Sequence, residues 1–502
     1  MREIELKFQV PPRRRAALAR SVTGRRMHLQ ATYLDTADRA LAAAGLALRL
    51  RREGRRWVQT LKGDEVADGM TRLEHNVPLP GLAGVLPAID LAVHTATPLG
   101  RRLREALAKA SDPSLVVQYR TDIWRRTREL RTAQGRVELA WDEGFIEAGA
   151  HRLPVCELEI ELLSGSPAAV ITSARRWVRG LGLWLDTRSK AERGDRLSRA
   201  DESLVPSRPG GVARPEEGMS LADARRWALR GCFRQIGANA SEVAGGSREI
   251  EPVHQLRVGL RRLRSLQRFL AEPGAAPPAW QPGASDLSRR LGVARDRDAI
   301  ATAVLPRLQA ALAQAGLAKG EGLCAMLQPT SNRHEGETPA EVVRSEAAQT
   351  LLLDLLEAMT QGADATAAPQ QSLRSLTRRR LARWDRRVQT DIQRFALLDE
   401  HQRHALRKRI KRLRYAAEWA APLYARRGVK PYVAALCEAQ ACLGEISDMS
   451  LAVAAFRKQP GAEPHALFAL GWLSSQVDCL LAAAPARLGA LARAPRFWKK
   501  KP

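Results

Sequence analysis

From its second residue the chain alternates between charged and apolar positions. Glu3, Glu5 and Lys7 are interleaved with Ile4, Leu6 and Phe8. Successive side chains of a β-strand point to opposite faces, so this segment predicts a strand with one charged and one apolar face. The rule recurs through the first two hundred residues. Residues 46–51 set Arg49 and Arg51 opposite Leu46, Leu48 and Leu50, and residues 58–62 place Lys62 in phase with Thr60. Arg72, Glu74 and Asn76 share a face. Residues 137–142 oppose Glu138 and Asp142 to Val137, Leu139 and Trp141. Residues 156–162 present Glu157, Glu159 and Glu161 away from Cys156, Leu158, Ile160 and Leu162.

One such strand is ordinarily a strand with its polar face in water. Six of them, acidic on some and basic on others, shift the balance toward a shared polar cavity. If the sheet closes, the charged faces line one tunnel and the apolar faces pack outward against helices and loops. Acids in that lining hold a divalent metal while Arg and Lys hold a polyanion. Oxygen ligands of this kind suit Mg²⁺ or Mn²⁺.

Glu3-x-Glu5-x-Lys7 is followed in order by Tyr33-Leu-Asp-Thr36, Leu48-Arg-Leu-Arg51, Thr60-Leu-Lys-Gly63, Trp141-Asp-Glu-Gly144, the acidic strand 157–161 and Ser189-Lys-Ala-Glu-Arg-Gly194. This series resembles the CYTH superfamily, the triphosphate tunnel metalloenzymes, over residues 1–200. The resemblance implies an α+β domain, a closed antiparallel β-barrel tunnel with flanking helices, that hydrolyses a terminal phosphoanhydride by charge neutralisation and a positioned water. In that reading Lys7, Arg49, Arg51, Lys62 and Lys190 grip the triphosphate, with Arg72, Arg120 and Arg125 as further cations. Consecutive arginines break the alternation around 119–128, which leaves open whether Arg120 or Arg125 points inward. Glu3 and Glu5 hold the metal with members of the Glu157, Glu159 and Glu161 trio. The family favours Glu159 and Glu161, because Glu157 is nearer the strand end. Glu138 and Asp142 steer the attacking water. Tyr33, Asp35 and Thr36 form a structural turn, Glu192 and Arg193 brace Lys190, and Trp57, Trp141 and Trp177 pack on the barrel exterior.

Composition extends the picture to a second part. A chain of 502 residues exceeds one ordinary core. No run of 18 apolar residues occurs, so no transmembrane helix is expected. Nor does a signal-peptide core precede the first strand. The six cysteines are scattered without C-x-x-C pairs, which argues against zinc and against a disulfide framework. These features predict a cytoplasmic protein. The formal charge of +27 calls for a polyanionic partner, although arginine well in excess of lysine is partly compositional.

Residues 199–219 are rich in Pro, Gly and charge and predict a linker centred on 201–219. Beyond it, Ala/Leu/Arg segments with a 3.6-residue period predict an all-α domain over 220–500. The sequence there repeats. His254-Gln-Leu-Arg-Val-Gly-Leu-Arg-Arg-Leu-Arg264 matches His404-Ala-Leu-Arg-Lys-Arg-Ile-Lys-Arg-Leu-Arg414, and Leu291-Gly-Val-Ala-Arg-Asp296 matches Leu443-Gly-Glu-Ile-Ser-Asp448. Two helical bundles, about 220–360 and 373–500, are expected, with the two Leu-Gly…Asp segments as turns. On a helix His254, Arg257, Arg261 and Arg264 form a stripe beside Leu256, Leu260 and Leu263. His404, Arg407, Lys411 and Arg414 do so beside Leu406, Ile410 and Leu413. Like charges at this spacing cost about 0.2–0.5 kcal/mol per pair. Stripes unrelieved by acids, repeated twice, predict an anion-binding groove.

These repeats resemble the CHAD domain, the conserved-histidine α-helical domain. That implies binding of long-chain inorganic polyphosphate, without catalysis of its own. Together the two resemblances imply a metal-dependent inorganic triphosphatase that acts on tripolyphosphate and carries a polyphosphate-binding domain, with polyphosphate granules as its setting. A thiamine-triphosphatase, a class IV adenylyl cyclase and a non-catalytic polyphosphate-targeting protein are the alternatives. No specific nucleic acid is expected, because aromatics make up only 5% of the chain and are not interleaved with the basic stripes.

Overall fold

The computed structural model describes residues 2–63, 69–80, 86–199, 215–216, 218–272, 274–292, 300–317, 337–360, 372–457 and 464–499. Two compact units result. One contains Met1–Pro209, Phe233–Leu256 and Ala340–Gln361; the other contains Gly210–Cys232, Arg257–Pro339 and Gly362–Pro502.

The alternating segments of the first unit become strands β1 (Arg2–Gln9), β2 (Arg25–Thr36), β3 (Leu46–Glu53), β4 (Arg56–Gly63), β5 (Thr71–Leu79), β6 (Leu115–Thr132), β7 (Gly135–Ala148), β8 (His151–Gly165) and β9 (Trp184–Leu185). The sheet runs β5-β4-β3-β2-β6-β7-β8-β1 and closes through a β1–β5 pairing, with β9 added to β1. Every pairing is antiparallel. The result is the closed antiparallel barrel that the resemblance implied.

Short helices cover the barrel: α1 (Arg15–Ser21), α2 (Ala40–Ala43), α3 (Pro98–Leu107), α4 (Pro167–Leu181) and α5 (Lys190–Ser198). Outward-facing Leu46, Leu48 and Leu61 pack under Leu41 of α2 and Leu99 and Leu103 of α3. Thr97 starts α3 by accepting from the Gly100 amide, with Pro98 in the first turn. Gly182, in the left-handed region at φ 62°, ends α4. Inside the barrel, Leu29, Ala31, Tyr33, Tyr119, Ile123 and Ile146 form an apolar cluster capped by Ala191 and Leu197 of α5. Gly194 permits that seat, because a Cβ there would lie 2.3 Å from the Tyr119 ring.

The remaining chain is helical: α6 (Leu221–Ala244), α7 (Ile250–Leu270), α8 (Gln281–Arg290), α9 (Leu305–Gln314), α10 (Pro339–Arg344), α11 (Glu346–Thr360), α12 (Leu373–Gln393), α13 (Glu400–Ala420), α14 (Arg426–Phe456) and α15 (Pro464–Arg493). Part of it belongs to the barrel's own unit. Asp354 and Glu357 of α11 both pair with Arg175 of α4, each at 2.7 Å. Leu351, Leu352, Leu353, Leu355 and Leu356 are nearly all fully buried, as the broad apolar face of this helix requires.

In the second unit Leu305, Leu308 and Leu312 pack against Met449, Phe456, Ala469 and Leu473. The repeated motifs occupy α7 and α13, both 21-residue helices. Asp399 and Gln402 form a reciprocal capping box at the start of α13.

Two expectations need correction. Leu443–Asp448 lies within α14 and is no turn, and residues 293–296 of its counterpart lie outside the described residues. Against the expected absence of a membrane-length segment, Ala466–Arg493 is long and apolar enough to span one, with mean hydropathy 1.4. The search for an unbroken apolar run missed it because Ser474, Ser475, Gln476 and Asp478 interrupt it. Among the described residues Cys156, Cys232, Cys437, Cys442 and Cys479 are free thiols. Cys324 and most of the linker lie outside them.

Candidate functional site

Strand register builds the tunnel lining. Glu5, Lys7 and Gln9 of β1 stand directly opposite Glu161, Glu159 and Glu157 of β8. On its other edge Glu3 stands opposite Arg72. Across β7 and β8, Glu138 faces Glu161 and Asp142 faces Glu157. Across β6 and β7, Arg125 faces Asp142. Lys62 stands opposite Glu74, and Arg49 opposite Thr60 and Tyr33. Opposed residues share a face, so the charged sets of six strands meet inside one barrel.

The lining sorts into ion pairs. Arg125 holds Asp142 with two hydrogen bonds, Nε to Oδ1 at 2.6 Å and Nη2 to Oδ2 at 2.7 Å, and also reaches Glu159. Lys190, the first residue of α5, touches Asp142 at 2.7 Å, Glu159 at 2.8 Å and Glu157. Arg193 pairs with Glu157 one turn further on. Lys62 pairs with Glu74 at 2.5 Å and reaches Glu3 at 3.5 Å, while Arg72 pairs with Glu5 at 3.2 Å. Arg49 lies 3.6 Å from Glu74 and donates to the Tyr33 hydroxyl at 3.3 Å. Arg51 pairs with Glu53 at the strand end.

Three groups stand apart from this pairing. Lys7 is 5% exposed, and among the described residues no ion pair closes on its ammonium. Burial, only partly offset by Glu157, pulls its pKa down to about 8. Burial, together with the charges of Glu5, Glu138 and Glu159, pushes Glu161 up to about 7. Burial also pushes Glu3 up to about 8 despite the opposing charge of Lys62.

Asp142, Glu157 and Glu159 offer oxygens within 4.8 Å of one another, a grouping that could hold a metal ion. Their charge is already met by Lys190, Arg125 and Arg193. Among the described residues Glu161 and Glu138 pair with no cation, while Glu5 and Glu3 each meet one, Arg72 at 3.2 Å and Lys62 at 3.5 Å. A divalent ion fits that deficit, with Glu159 shared between the two sets.

Most of the anticipated tunnel residues therefore converge. Arg120 does not. It is exposed and, with no bulge between Arg120 and Arg125 in the β6–β7 register, lies on the opposite face from Arg125. Asp35 and Thr36 form the expected turn, since Asp35 accepts from the Leu41 and Ala42 amides at 2.9 Å each and Thr36 from the Ala40 amide at 2.9 Å. Tyr33 departs from that reading. It points inward, stacked on Tyr119 with 4.6 Å between ring centroids, and accepts from Arg49. Arg193 braces Lys190 through their shared partner Glu157, and Trp57 and Trp141 are buried on the outer face. Glu74, Gln9 and Asp186 were missing from the anticipated set. Glu74 and Gln9 keep the strand parity of their charged neighbours, a signal that could have found them. Gln9 donates to Glu157 at 3.2 Å and to Asp186 at 3.0 Å.

In the second unit the basic residues of α7 and α13 draw together. Burial and the neighbouring charges of Arg407, Arg261 and Arg414, against Asp448, bring Lys411 down to about 6. On another flank burial and the charges of Arg268, Arg264 and Arg409 lower Arg412. Arg261 Nε is buried without a hydrogen-bond partner. The stripes are less bare than their sequences imply. Glu418 pairs with Arg262 at 2.9 Å and Arg414 at 3.3 Å, and Arg257 turns inward to donate to the Ser288 carbonyl at 2.9 Å. The two Leu-Gly motifs serve these arginines: a Cβ on Gly292 would lie 2.9 Å from Arg257 Nη1, and one on Gly444 3.6 Å from Arg407 Nη2. His404 is exposed at the start of its stripe; His254 holds the matching place on α7 and belongs to the first unit.

Comparison with known proteins finds two families in succession along the chain. Residues 1–194 match the CYTH domain family and residues 228–457 the CHAD domain family. The chain is 28% identical over 204 residues to an inorganic triphosphatase of Haemophilus influenzae, covering 39% of this chain and 54% of that protein. It thus spans about half the length of that curated relative. Among solved structures, the CHAD domain from the plant Ricinus communis is 28% identical, with 59% of this chain and 100% of that one covered and a TM-score of 0.46. A Hippeastrum protein described as a putative adenylyl cyclase with a dominant triphosphatase activity is 19% identical over 40% of this chain and 97% of its own, with a TM-score of 0.28. The chain joins a CYTH domain to a CHAD domain.

Proposed function

We propose that the tunnel is a metal-dependent inorganic triphosphatase that splits tripolyphosphate into pyrophosphate and phosphate, and that residues 220–500 bind long-chain polyphosphate. The observation that carries the first part is Lys7: among the described residues a buried ammonium that no ion pair closes on, in a lining where Glu161 and Glu138 pair with no cation. Such a lining is incomplete until it holds an anion and a metal together.

Lys7 meets the phosphate oxygens, and Arg49, Arg51, Lys62 and Arg72 turn to them from the carboxylates they pair with. Glu3, Glu5, Glu159 and Glu161 would hold Mg²⁺ or Mn²⁺, which would supply charge neutralisation on the phosphate. Asp142 anchors Arg125 and Lys190, so its oxygens are taken. Glu138 is the acceptor left for the water. As the new O–P bond forms and the anhydride P–O bond breaks, Glu138 receives the water's proton and pyrophosphate leaves within reach of the arginines. The relative from Haemophilus influenzae, named as an inorganic triphosphatase, supports this choice among triphosphates.

The test is phosphate release from tripolyphosphate, ATP, thiamine triphosphate and long polyphosphate, each with Mg²⁺ or Mn²⁺ and with EDTA. Tripolyphosphate should be preferred and EDTA should abolish release. Preference for thiamine triphosphate, or cyclic AMP formed from ATP, would replace this reading with one of the other tunnel activities.

A further inference from the structure

Lys190 sits at the start of a helix whose two ends are held by a carboxylate from far along the chain. Glu242 of α6, 8% exposed, accepts from Arg188 Nη1 at 3.0 Å and from Arg196 Nη1 at 2.5 Å. Arg188 lies just before Ser189, the N-cap of α5, and Arg196 lies in the helix's last turn. The span from Lys190 to Arg196 is about 9 Å of helix, so one side chain brackets the lysine from both sides. The neighbouring Ser241 reinforces the bracket, accepting from the Thr187 amide at 2.9 Å.

The contact also continues inward. Arg188 holds Asp186 with Nε at 2.8 Å and Nη2 at 2.9 Å. Asp186 accepts from Gln9, and Gln9 donates to Glu157, the carboxylate shared by Lys190 and Arg193. All these residues belong to the first compact unit. A plain staple of helix to barrel would need none of this convergence on one lysine. Arg175 with Glu357 is such a staple, on α4 and remote from the tunnel charges.

From this geometry we infer that Glu242 is a positioning residue for the tunnel: it sets Lys190 in register with Asp142, Glu157 and Glu159. This rests on the triphosphatase reading for its kinetic consequence and on geometry alone for its structural one. Aspartate at 242 keeps the charge but is one methylene too short to reach both arginines, so it should fail much as alanine does.

The experiment uses the full chain with Glu242→Asp, Glu242→Ala and, as the staple control, Glu357→Ala. Both Glu242 variants should lose kcat on tripolyphosphate by about tenfold or more, because small misplacements of a gripping group are expensive, with KM held within about twofold. Glu357→Ala should lower Tm without lowering kcat. A second readout is independent of turnover. Acetic anhydride labelling followed by peptide mass spectrometry should find Lys190 modified several-fold faster in the Glu242 variants than in wild type or Glu357→Ala. If wild type releases no phosphate from tripolyphosphate, the activity reading fails and the labelling still decides this one. Unchanged labelling of Lys190 in both Glu242 variants, or kcat lost equally in Glu357→Ala, overturns the positioning role.

Discussion

In the proposed function, Lys411 makes polyphosphate binding a proton-linked event. In the free protein its ammonium is packed among Arg407, Arg261 and Arg414, with Asp448 the opposing charge, and burial with those cations brings its pKa to about 6. A polyanion laid along the stripe reverses that environment and returns the lysine toward its ordinary range. The sign follows from linkage: the complex holds a proton that the free protein lacks, so affinity falls as pH rises above 6. At about pH 7.5 the lysine is ~1.5 units above its pKa, and charging it costs about 2 kcal/mol. Between pH 6 and 8 the dissociation constant should rise by about 50-fold at most, since the protonated fraction falls by that factor. His404 contributes little in this window, because burial and the adjacent cations lower it below its usual value. Calorimetry of long-chain polyphosphate binding in two buffers of different ionisation enthalpy, at fixed salt, would count the proton directly. Long chains are needed so that terminal phosphates, which titrate nearby, are a negligible share of the ligand. Lys411→Met should bind more weakly at pH 6 and lose most of the pH dependence. Affinity that is flat from pH 6 to 8 in wild type, or a Met variant with the slope intact, would refute the reasoning.

Two other outcomes can be checked on the tunnel unit. Lys7→Met should abolish most tripolyphosphate turnover and yet raise Tm, because a buried lysine whose pKa is drawn from 10.5 to about 8 costs the fold a few kcal/mol; Arg120→Ala, on the outer face, should leave kcat/KM unchanged. His94 is 0% exposed, bonded to His75 through Nδ1 atoms 2.8 Å apart and to Gln59 at 2.9 Å. Burial and the charge of His75 lower it to about 4. The folded state therefore refuses a proton that the unfolded chain accepts below about pH 6.5, so stability is lost as pH falls from 6.5 to 4, by up to about 3 kcal/mol. Denaturant titrations of wild type and His94→Gln at several pH values should differ by that one-proton slope, and parallel pH profiles would count against it.

What was legible in the sequence follows from what local periodicity encodes. A strand's pleat is strict, so Glu3, Glu5 and Lys7 could be assigned to one face from residues 2–8 alone, and the register agrees by setting Glu5 and Lys7 against Glu161 and Glu159. Arg120 and Arg125 could not be separated, because the adjacent Arg126 hides the parity that only the β6–β7 register restores. Periodicity also says nothing about partners. That Asp142 is locked by Arg125 and Lys190 depends on β6, β7 and β8 being neighbours and on α5 capping them, which are facts of topology. The helices obey the same limit. Their stripes were visible at His254–Arg264 and His404–Arg414, but Gly444 looked like a turn because glycine often marks a break; it lies inside α14, where a Cβ would stand at an ordinary contact distance of 3.6 Å from Arg407. Glu242 carried no local signal at all, being one glutamate in a helix 54 residues beyond Arg188. The leucines of α11 did carry one, since Leu351, Leu352, Leu353, Leu355 and Leu356 make a broad apolar face beside a narrow polar strip of Glu346, Thr350, Asp354 and Glu357. A face that broad must be covered, and Asp354 and Glu357 of the strip meet Arg175 on α4 of the tunnel unit. The compact unit around the tunnel is consequently larger than the strand pattern alone could delimit, and the residues that order its charged interior include some that the pattern assigned to helices elsewhere.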